Sequence, residues 1–440
     1  MPNPTKKSSF INKPNASKKH ATKTQGKAHV IVAGAGIVGV ATAIWLQRAG
    51  YKVTLIDRIG PAAGASYGNA GILAAGAIIP VTTPDLWYKA PLMLFSRKSP
   101  LFLRITHLAQ LIPFLTRYLA KCTTKNVTQY AARISPLLYD SLEQHLALAG
   151  QTEAKSYIKA RDYCFGYARE VDFEKDQAYW QIRKKNSVDF EVMNAKSYCA
   201  YDPFYDNHPF ETVVRCKNHG FISDPSAYIH ALFAHFKQQN GNFEQAEITD
   251  FKYDANRITA LLSPQGAFSG DHIVLTAGIW AKPLLQKLGV HIQMMSERGY
   301  HIELSDPSLS PISPMMVCQS KFVITPMLNR IRLAGLVEFA KIDTPPSKAP
   351  IDFLKDEAIR LMPHIRYAQI NQWMGERPST PDSLPLIGLI DRFKNLYAGF
   401  GHQHLGLTAG PKTGRILADQ IKGIKPNIDT QCYLPQRFKT

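Results

Sequence analysis

Residues 30 to 58, VIVAGAGIVGVATAIWLQRAGYKVTLIDR, constrain this chain more than any other stretch. Val30 to Ala33 is a short β-branched run bounded by glycine, which reads as a buried strand and is too short for a helix. Gly34, Gly36 and Gly39 follow as G-x-G-x-x-G. Ile37 to Gln47 carries apolar residues at helical spacing, and Gly50 closes that helix. Lys52 to Ile56 is a second buried strand, ending at Asp57. Gly34 permits the tight turn, Gly36 lets the backbone approach a pyrophosphate, and Gly39 brings helix and strand close. The pyrophosphate rests on unsatisfied N–H groups at the helix start, those of Ile37 and Val38, where the dipole favours negative charge. Asp57, with Arg58 beside it, stands where a carboxylate accepts hydrogen bonds from a ribose. A lone G-x-G-x-x-G is weak, and an empty α/β unit is its plain alternative. Strand, glycines, helix, strand and terminal acid within one βαβ unit point to dinucleotide binding.

At 440 residues the chain exceeds one ordinary core and predicts two intimately joined domains. Its six cysteines have no metal-type spacing, so they read as reduced thiols, no metal is expected, and the expected location is the cytoplasm. No apolar run reaches the ~18 residues a membrane helix needs. The net charge of +18 is concentrated in part in residues 1–27, rich in lysine and free of acid, which read as a disordered basic arm. Contact of that arm with an anionic membrane or nucleic acid is the alternative.

After Asp57, GPAAGASYGNAGIL (60–73) is dense in small residues, so its backbone can approach a flat ligand; Ser66, Asn69, Ala70 and Gly71 are its candidate contacts. Residues 84–122 mix large apolar residues with Lys and Arg. They suit either buried helices or a basic amphipathic face resting on a membrane, the inner membrane in a bacterial cell. Residues 126–149 predict one amphipathic helix, with Pro136 as the point of a bend. From 220 to 290 the pattern is again α/β: a helix from Pro225 to Gln239, a strand pair around Asn256, and the strand DHIVLTAG (271–278) entering a helix from Ile279 to Leu288. There Ala277 and Gly278 offer a second place for backbone to meet cofactor. Residues 291–380 read as an antiparallel sheet with one helix near 351–361. A strand and turn at NLYAGFG (395–401) precede a terminal helix from Leu407 to Ile421.

Taken together these motifs resemble the FAD-dependent amine and amino-acid oxidoreductases, the D-amino-acid oxidase and glycine oxidase superfamily, and most closely its bacterial D-amino-acid dehydrogenases. The resemblance runs from about residue 28 to 425. It rests on the fingerprint, GASYGNAGIL, DHIVLTAGIWAKPL, ERGYHIEL, RLAGLVEF, GERPSTPDSLPLIG and NLYAGFGHQHLGLTAGPKTGRILAD, in the family's order. It implies an α/β fold: a discontinuous Rossmann-like FAD-binding domain (28–85, 216–290 and 380–425) and a mixed-sheet α+β substrate domain with a helical insertion (86–215 and 291–379), followed by a tail (426–440). It adds Ile248, Gly401 and Gly406 to the cofactor contacts, and the N–H groups of Leu407 and Thr408 would face the flavin's N1–C2 edge, where a positive dipole stabilises reduced flavin. The family has small residues where this chain has Gln403 and His404, which puts bulk near the flavin face.

Oxidising an amino acid at Cα needs position and a carboxylate clamp more than acid–base groups, and guanidinium suits the clamp because it binds bidentately. Arg332 matches the family's carboxylate-gripping position; Arg330 shares its strand face and competes with it; Arg377 lies in a turn-rich segment close to the flavin in this family. Tyr300 and His301 reach opposite faces of one strand, so one of them points at substrate. His402 and His404 flank the flavin turn. A surface salt bridge, or a satisfied structural histidine, is the ordinary alternative for each. The implied reaction is oxidative deamination of a D-amino acid, D-proline and 4-hydroxy-D-proline among the candidates, with electrons passed to a quinone or other carrier. An oxygen-using oxidase of the glycine or sarcosine type, a tRNA-modifying flavoprotein and a non-catalytic flavin subunit are the alternatives. The sequence shows no RNA-binding module, so nucleic acid is not expected as a partner.

Overall fold

The computed structural model describes residues 28–87, 101–103 and 108–438; the basic arm and much of the 84–122 stretch lie outside them. Two large sheets organise the described residues. In the six-stranded one the order is Asn242–Gln245, Lys52–Asp57, His29–Ala33, His272–Leu275, Leu396–Phe400 and Leu386–Leu389. Its first five strands run parallel, with Val32 beside Leu55 and Ala33 beside Leu275, and the last is antiparallel. A parallel sheet is covered on both faces, which is why these strands are near-continuous apolar runs. The helix Ile37–Arg48 is buried around most of its circumference, held between this sheet and the terminal helix Gly406–Ile421.

The second sheet is mixed and nine-stranded, in the order Gln369–Ser379, Met295–Ser305, Arg330–Phe339, Phe322–Met327, Met315–Val317, Tyr163–Tyr167, Thr212–Cys216 and Phe190–Asn194. Leu101–Leu103 pairs beside Arg330–Phe339. One face of this sheet buries Ile302, Ile324 and Leu333 against the helix Lys348–Leu361; the other carries Phe165, Val323 and Ala334. Each such side chain taken from water contributes roughly 1.5–3 kcal/mol, so each face commits its strands to one register.

Three local expectations change. Residues 126–149 form two helices, Thr124–Leu138 and Ser141–Ala149, and the chain turns at Tyr139–Asp140 rather than at Pro136. Pro136 sits within the first helix, where its carbonyl accepts from Lys412 Nζ at 2.7 Å; the same ammonium reaches Asp140 Oδ1 at 2.7 Å. Both helices share the core of the fingerprint and terminal helices, through Ile134, Leu137 and Leu148, and so do not belong to the substrate sheet. The expected helix 279–288 begins as a 3-10 turn, Gly278–Trp280, and is helical over Ala281–Lys287. In the described part of 84–122, the helix Leu108–Leu119 turns Leu111, Phe114 and Tyr118 onto Phe339. One face of that helix is thus buried, while Ile112 on the other is exposed. No helix among the described residues is long and apolar enough to cross a membrane.

Candidate active site

A cavity of about 1130 Å³ takes its walls from both sheets. At one end lies the fingerprint turn. Gly34 has φ +116° and a Cβ there would lie 2.6 Å from the Thr276 backbone; on Gly39 it would lie 1.8 Å from the Gly34 carbonyl oxygen. The chain can make this turn only with glycine at both places. Gly34, Gly36, Ile37 and Val38 line the cavity, whereas Gly39 acts from behind as a packing residue. The Ile37 N–H at the helix start donates to Ser66 Oγ at 3.1 Å. Asp57 accepts from the backbone N–H groups of Ala35 at 2.7 Å, Ile59 at 2.9 Å and Gly60 at 3.0 Å. This fixes a carboxylate with about one of its four acceptor sites left for a ribose hydroxyl. Arg58 stacks on Trp280, its guanidinium carbon 4.2 Å from the ring centre, and both line the cavity with Ile248, Ala277 and Gly278.

Farther along, Ser66, Asn69 and Ala70 line the wall, while Gly71 is held against Ile222 and Met327 behind it. Gly401 (φ +83°) makes the turn from the last parallel strand toward the terminal helix without lining the cavity. Gly406, Leu407 and Thr408 do line it, in the first turn of that helix, where N–H groups lack intrahelical acceptors. The turn is braced twice. Thr408 Oγ1 donates to Ile72 O at 3.1 Å and accepts from Ala74 N at 3.3 Å. Pro411 has no N–H for the Leu407 carbonyl four residues back. His145 Nε2 fills that place from the neighbouring helix at 2.8 Å, with its Nδ1 2.8 Å from the Tyr228 hydroxyl. Burial lowers the His145 pKa to about 4, so the ring is neutral at pH 7. A glycine cradle, an anchored acid and a braced helix N-terminus along one long cavity fit a flavin adenine dinucleotide.

The candidate catalytic residues separate. Arg377 lines the cavity; its Nη1 donates to Glu297 Oε1 at 3.3 Å and Leu336 O at 3.0 Å, and its Nη2 to Gly335 O at 3.3 Å. Arg332 is 2% exposed and does not line the cavity. Glu303 Oε1 holds it at 2.7 and 2.9 Å, and its Nη1 donates to the carbonyls of Tyr67 and Asn69. Arg330 shares Glu303 and pairs with Asp224 at 2.9 Å. Tyr300 and His301 do reach opposite faces. Tyr300 donates to Glu338 Oε2 at 2.5 Å and accepts from Ser347 N at 3.0 Å. His301 Nδ1 donates to Gly68 O at 3.1 Å, and its ring stacks on Trp373; burial lowers its pKa to about 3. His402 is buried against Thr413 Oγ1 at 3.0 Å, and burial lowers its pKa to about 3 as well. His404 lines the cavity and, among the described residues, makes no hydrogen bond; burial lowers its pKa, opposed by Glu297 and assisted by Arg377.

Sequence reasoning missed Glu297, which opens ERGYHIEL and alternates with Gly299 onto the cavity face. It also missed Tyr118, Trp373 and the buried Arg183, which lies between Phe165 and Trp180 and donates to Gly76 O at 3.1 Å. Strand alternation marks Glu297 in the sequence; no local signal marks the others, because distant elements bring them to the wall.

Residues 29–420 match the model of the FAD dependent oxidoreductase (DAO) family. Among curated proteins, the chain is 32% identical to a D-amino-acid oxidase from Bradyrhizobium diazoefficiens, over 93% of this chain and 99% of that one. It is 29% identical to a D-amino acid dehydrogenase from Rhizorhabdus wittichii, over 91% and 98%. Among solved structures it superposes on glycine oxidase from Geobacillus kaustophilus with a TM-score of 0.73 at 18% identity, covering 94% of this chain and all of the other. L-proline dehydrogenase from P. horikoshii gives 0.70 at 16% identity, covering 94% and 98%.

Proposed function

The chain belongs to the DAO family of FAD-dependent oxidoreductases, and on that premise we propose that it oxidises a D-amino acid at Cα to an imino acid, which water hydrolyses to the 2-oxo acid. FAD, when bound, would supply the electron sink for the α-hydrogen and its electron pair. The other tasks fall to the protein: to grip the α-carboxylate, hold Cα in place and keep water out. Arg377 carries this reading, a guanidinium on the cavity wall 20% exposed, with donors left for a second carboxylate. Arg332 is committed to Glu303 and to the 67–69 backbone, so in this reading it positions the loop and Arg377 is the clamp. Tyr163, Phe165 and Trp373 on the wall suit an apolar or ring-bearing side chain, D-proline and 4-hydroxy-D-proline included. The D configuration follows the names of the curated relatives.

The acceptor in this proposal is a quinone or another carrier; a quinone would bring the enzyme to a membrane surface. Steady-state turnover of D-alanine, D-methionine, D-proline, glycine and sarcosine, with a soluble quinone analogue or with oxygen alone, tests the reading. We expect 2-oxo acid or cyclic imine from D-amino acids with the quinone. Hydrogen peroxide in stoichiometric yield from glycine or sarcosine would assign an oxidase instead.

A further inference from the structure

Around Arg377 stands a polar cluster that the protein leaves incomplete. Glu297 is 1% exposed yet lines the cavity. Its Oε1 accepts from Arg377 Nη1 at 3.3 Å and its Oε2 from Ser379 Oγ at 2.6 Å. A carboxylate offers about four acceptor sites, so about two remain. Tyr118, brought in by the helix Leu108–Leu119, is 2% exposed, and its hydroxyl has no hydrogen-bond partner. Burial pushes its pKa well up, with the Glu297 charge as the next cause. His404 lies within reach of the same two charges and also makes no hydrogen bond among the described residues.

Buried polar groups are nearly always paired, and each orphan costs roughly 1–3 kcal/mol. The orphan Tyr118 hydroxyl and the unbonded His404 ring, beside the Glu297–Arg377 ion pair on one cavity wall, form a site that a polar ligand completes. The ligand must be dipolar, since the site presents a cation and an anion 3.3 Å apart. A zwitterionic α-amino acid matches it, with carboxylate toward Arg377 and ammonium toward Glu297.

Resting on the reading above, we propose that Glu297 is a catalytic residue that binds the substrate ammonium and takes its proton. A D-amino acid arrives at neutral pH as the ammonium, whose nitrogen has no lone pair to help expel the α-hydrogen. One N–H bond breaks, its electron pair stays on nitrogen, and the proton ends on a Glu297 oxygen. The amine is then neutral, its lone pair free to help expel the α-hydrogen as hydride, for which bound FAD would be the acceptor. The groups facing Glu297 are Arg377 and Ser379 from Gln369–Ser379, His404 from the turn before the terminal helix, and Tyr118; Phe339 opposes it on the neighbouring strand. Arg298 lies next in the strand, committed to Glu338 and Glu376.

The test is the pH dependence of anaerobic flavin reduction by D-alanine, D-methionine and D-proline in the FAD-loaded full chain and in Glu297→Gln. We expect the variant to be reduced about 100-fold more slowly at pH 7 and to return to within a few-fold of wild type near pH 10, where the free amine is the abundant form. A constant ratio across that range would overturn the proposal, because a merely structural role does not respond to substrate ionisation. Propionate, which lacks the amine, should perturb the flavin spectrum of both proteins with the same affinity. Wild type alone decides the matter if the variant does not fold. Its reduction rate should then be nearly the same at pH 7 as at pH 10; a rate that climbs only as the free substrate's ammonium ionises overturns the assignment. If no D-amino acid reduces wild type, the functional reading itself fails and this role fails with it.

Discussion

Burial separates Arg332 from Arg377, which the structure puts on strands of the same mixed sheet although the sequence around Arg377 reads as turn-rich. The alternation of a strand tells which residues share a face but not which face meets a cavity. Legibility at this scale therefore stops at pairs such as Tyr300 and His301, whose opposed directions the sequence does give. Alternation places Glu297 on one face with Gly299 without saying that this face meets the cavity; Tyr118 has no local signal at all, because its helix reaches the site only in the tertiary fold. The two arginines predict different failures. Arg377→Met should raise KM for D-amino acids about 100-fold while leaving flavin content near wild type. Arg332→Met removes one partner of a buried pair, worth roughly 3–5 kcal/mol, and should lower thermal stability and flavin retention more than it alters KM. Steady-state kinetics beside flavin absorbance per polypeptide separates the two, and the reverse pattern would exchange their roles. Gly39→Ala would place a methyl group 1.8 Å from the Gly34 oxygen. Overpacking of that kind costs about 3 kcal/mol or more where backbone must move, so the variant should purify with little flavin, as its absorbance will report.

At the scale of elements, the fingerprint βαβ unit was legible almost to the residue because each of its signals is local: β-branched runs, glycines at fixed offsets and an acid at the strand end. The helices after residue 123 were less so. Their break falls where Asp140 is held by Lys412, which lies far along the chain, and the side on which they pack depends on tertiary contacts. The terminal helix shows the same dependence. Pro411 lacks the N–H that would donate to the Leu407 carbonyl in its first turn, and the missing donor comes from His145. His145→Phe should therefore orphan the Leu407 carbonyl and the Tyr228 hydroxyl, costing roughly 1–3 kcal/mol each, and weaken flavin retention by loosening the helix start. Urea unfolding and flavin release rates check this; an unchanged release rate would show that the brace is not needed.

The whole molecule places one cavity between a parallel sheet and a mixed sheet, and burial around it and within the core keeps several histidines neutral. The pKa of His145 is lowered to about 4, and those of His301 and His402 to about 3. Between these values and the ordinary 6.5 the unfolded chain binds more protons than the folded one, so stability rises with pH in that window. Each histidine's contribution is complete above about pH 6.5 and is lost as pH falls toward the folded value; for His145 this is about 3 kcal/mol. Denaturant midpoints should fall steadily from pH 7 to pH 4 in wild type and less steeply in His145→Phe. The fold class was legible because glycine, strand and helix signals recur in order along the chain, whereas the cavity wall draws on residues scattered from Ala33 to Thr408. The most direct measurement is anaerobic mixing of the FAD-loaded protein with single enantiomers of alanine, methionine and proline while the oxidised flavin band is followed. Bleaching by the D enantiomers, with the L enantiomers inert, is the predicted result; bleaching by L enantiomers alone, or by none of these amino acids, would contradict the account.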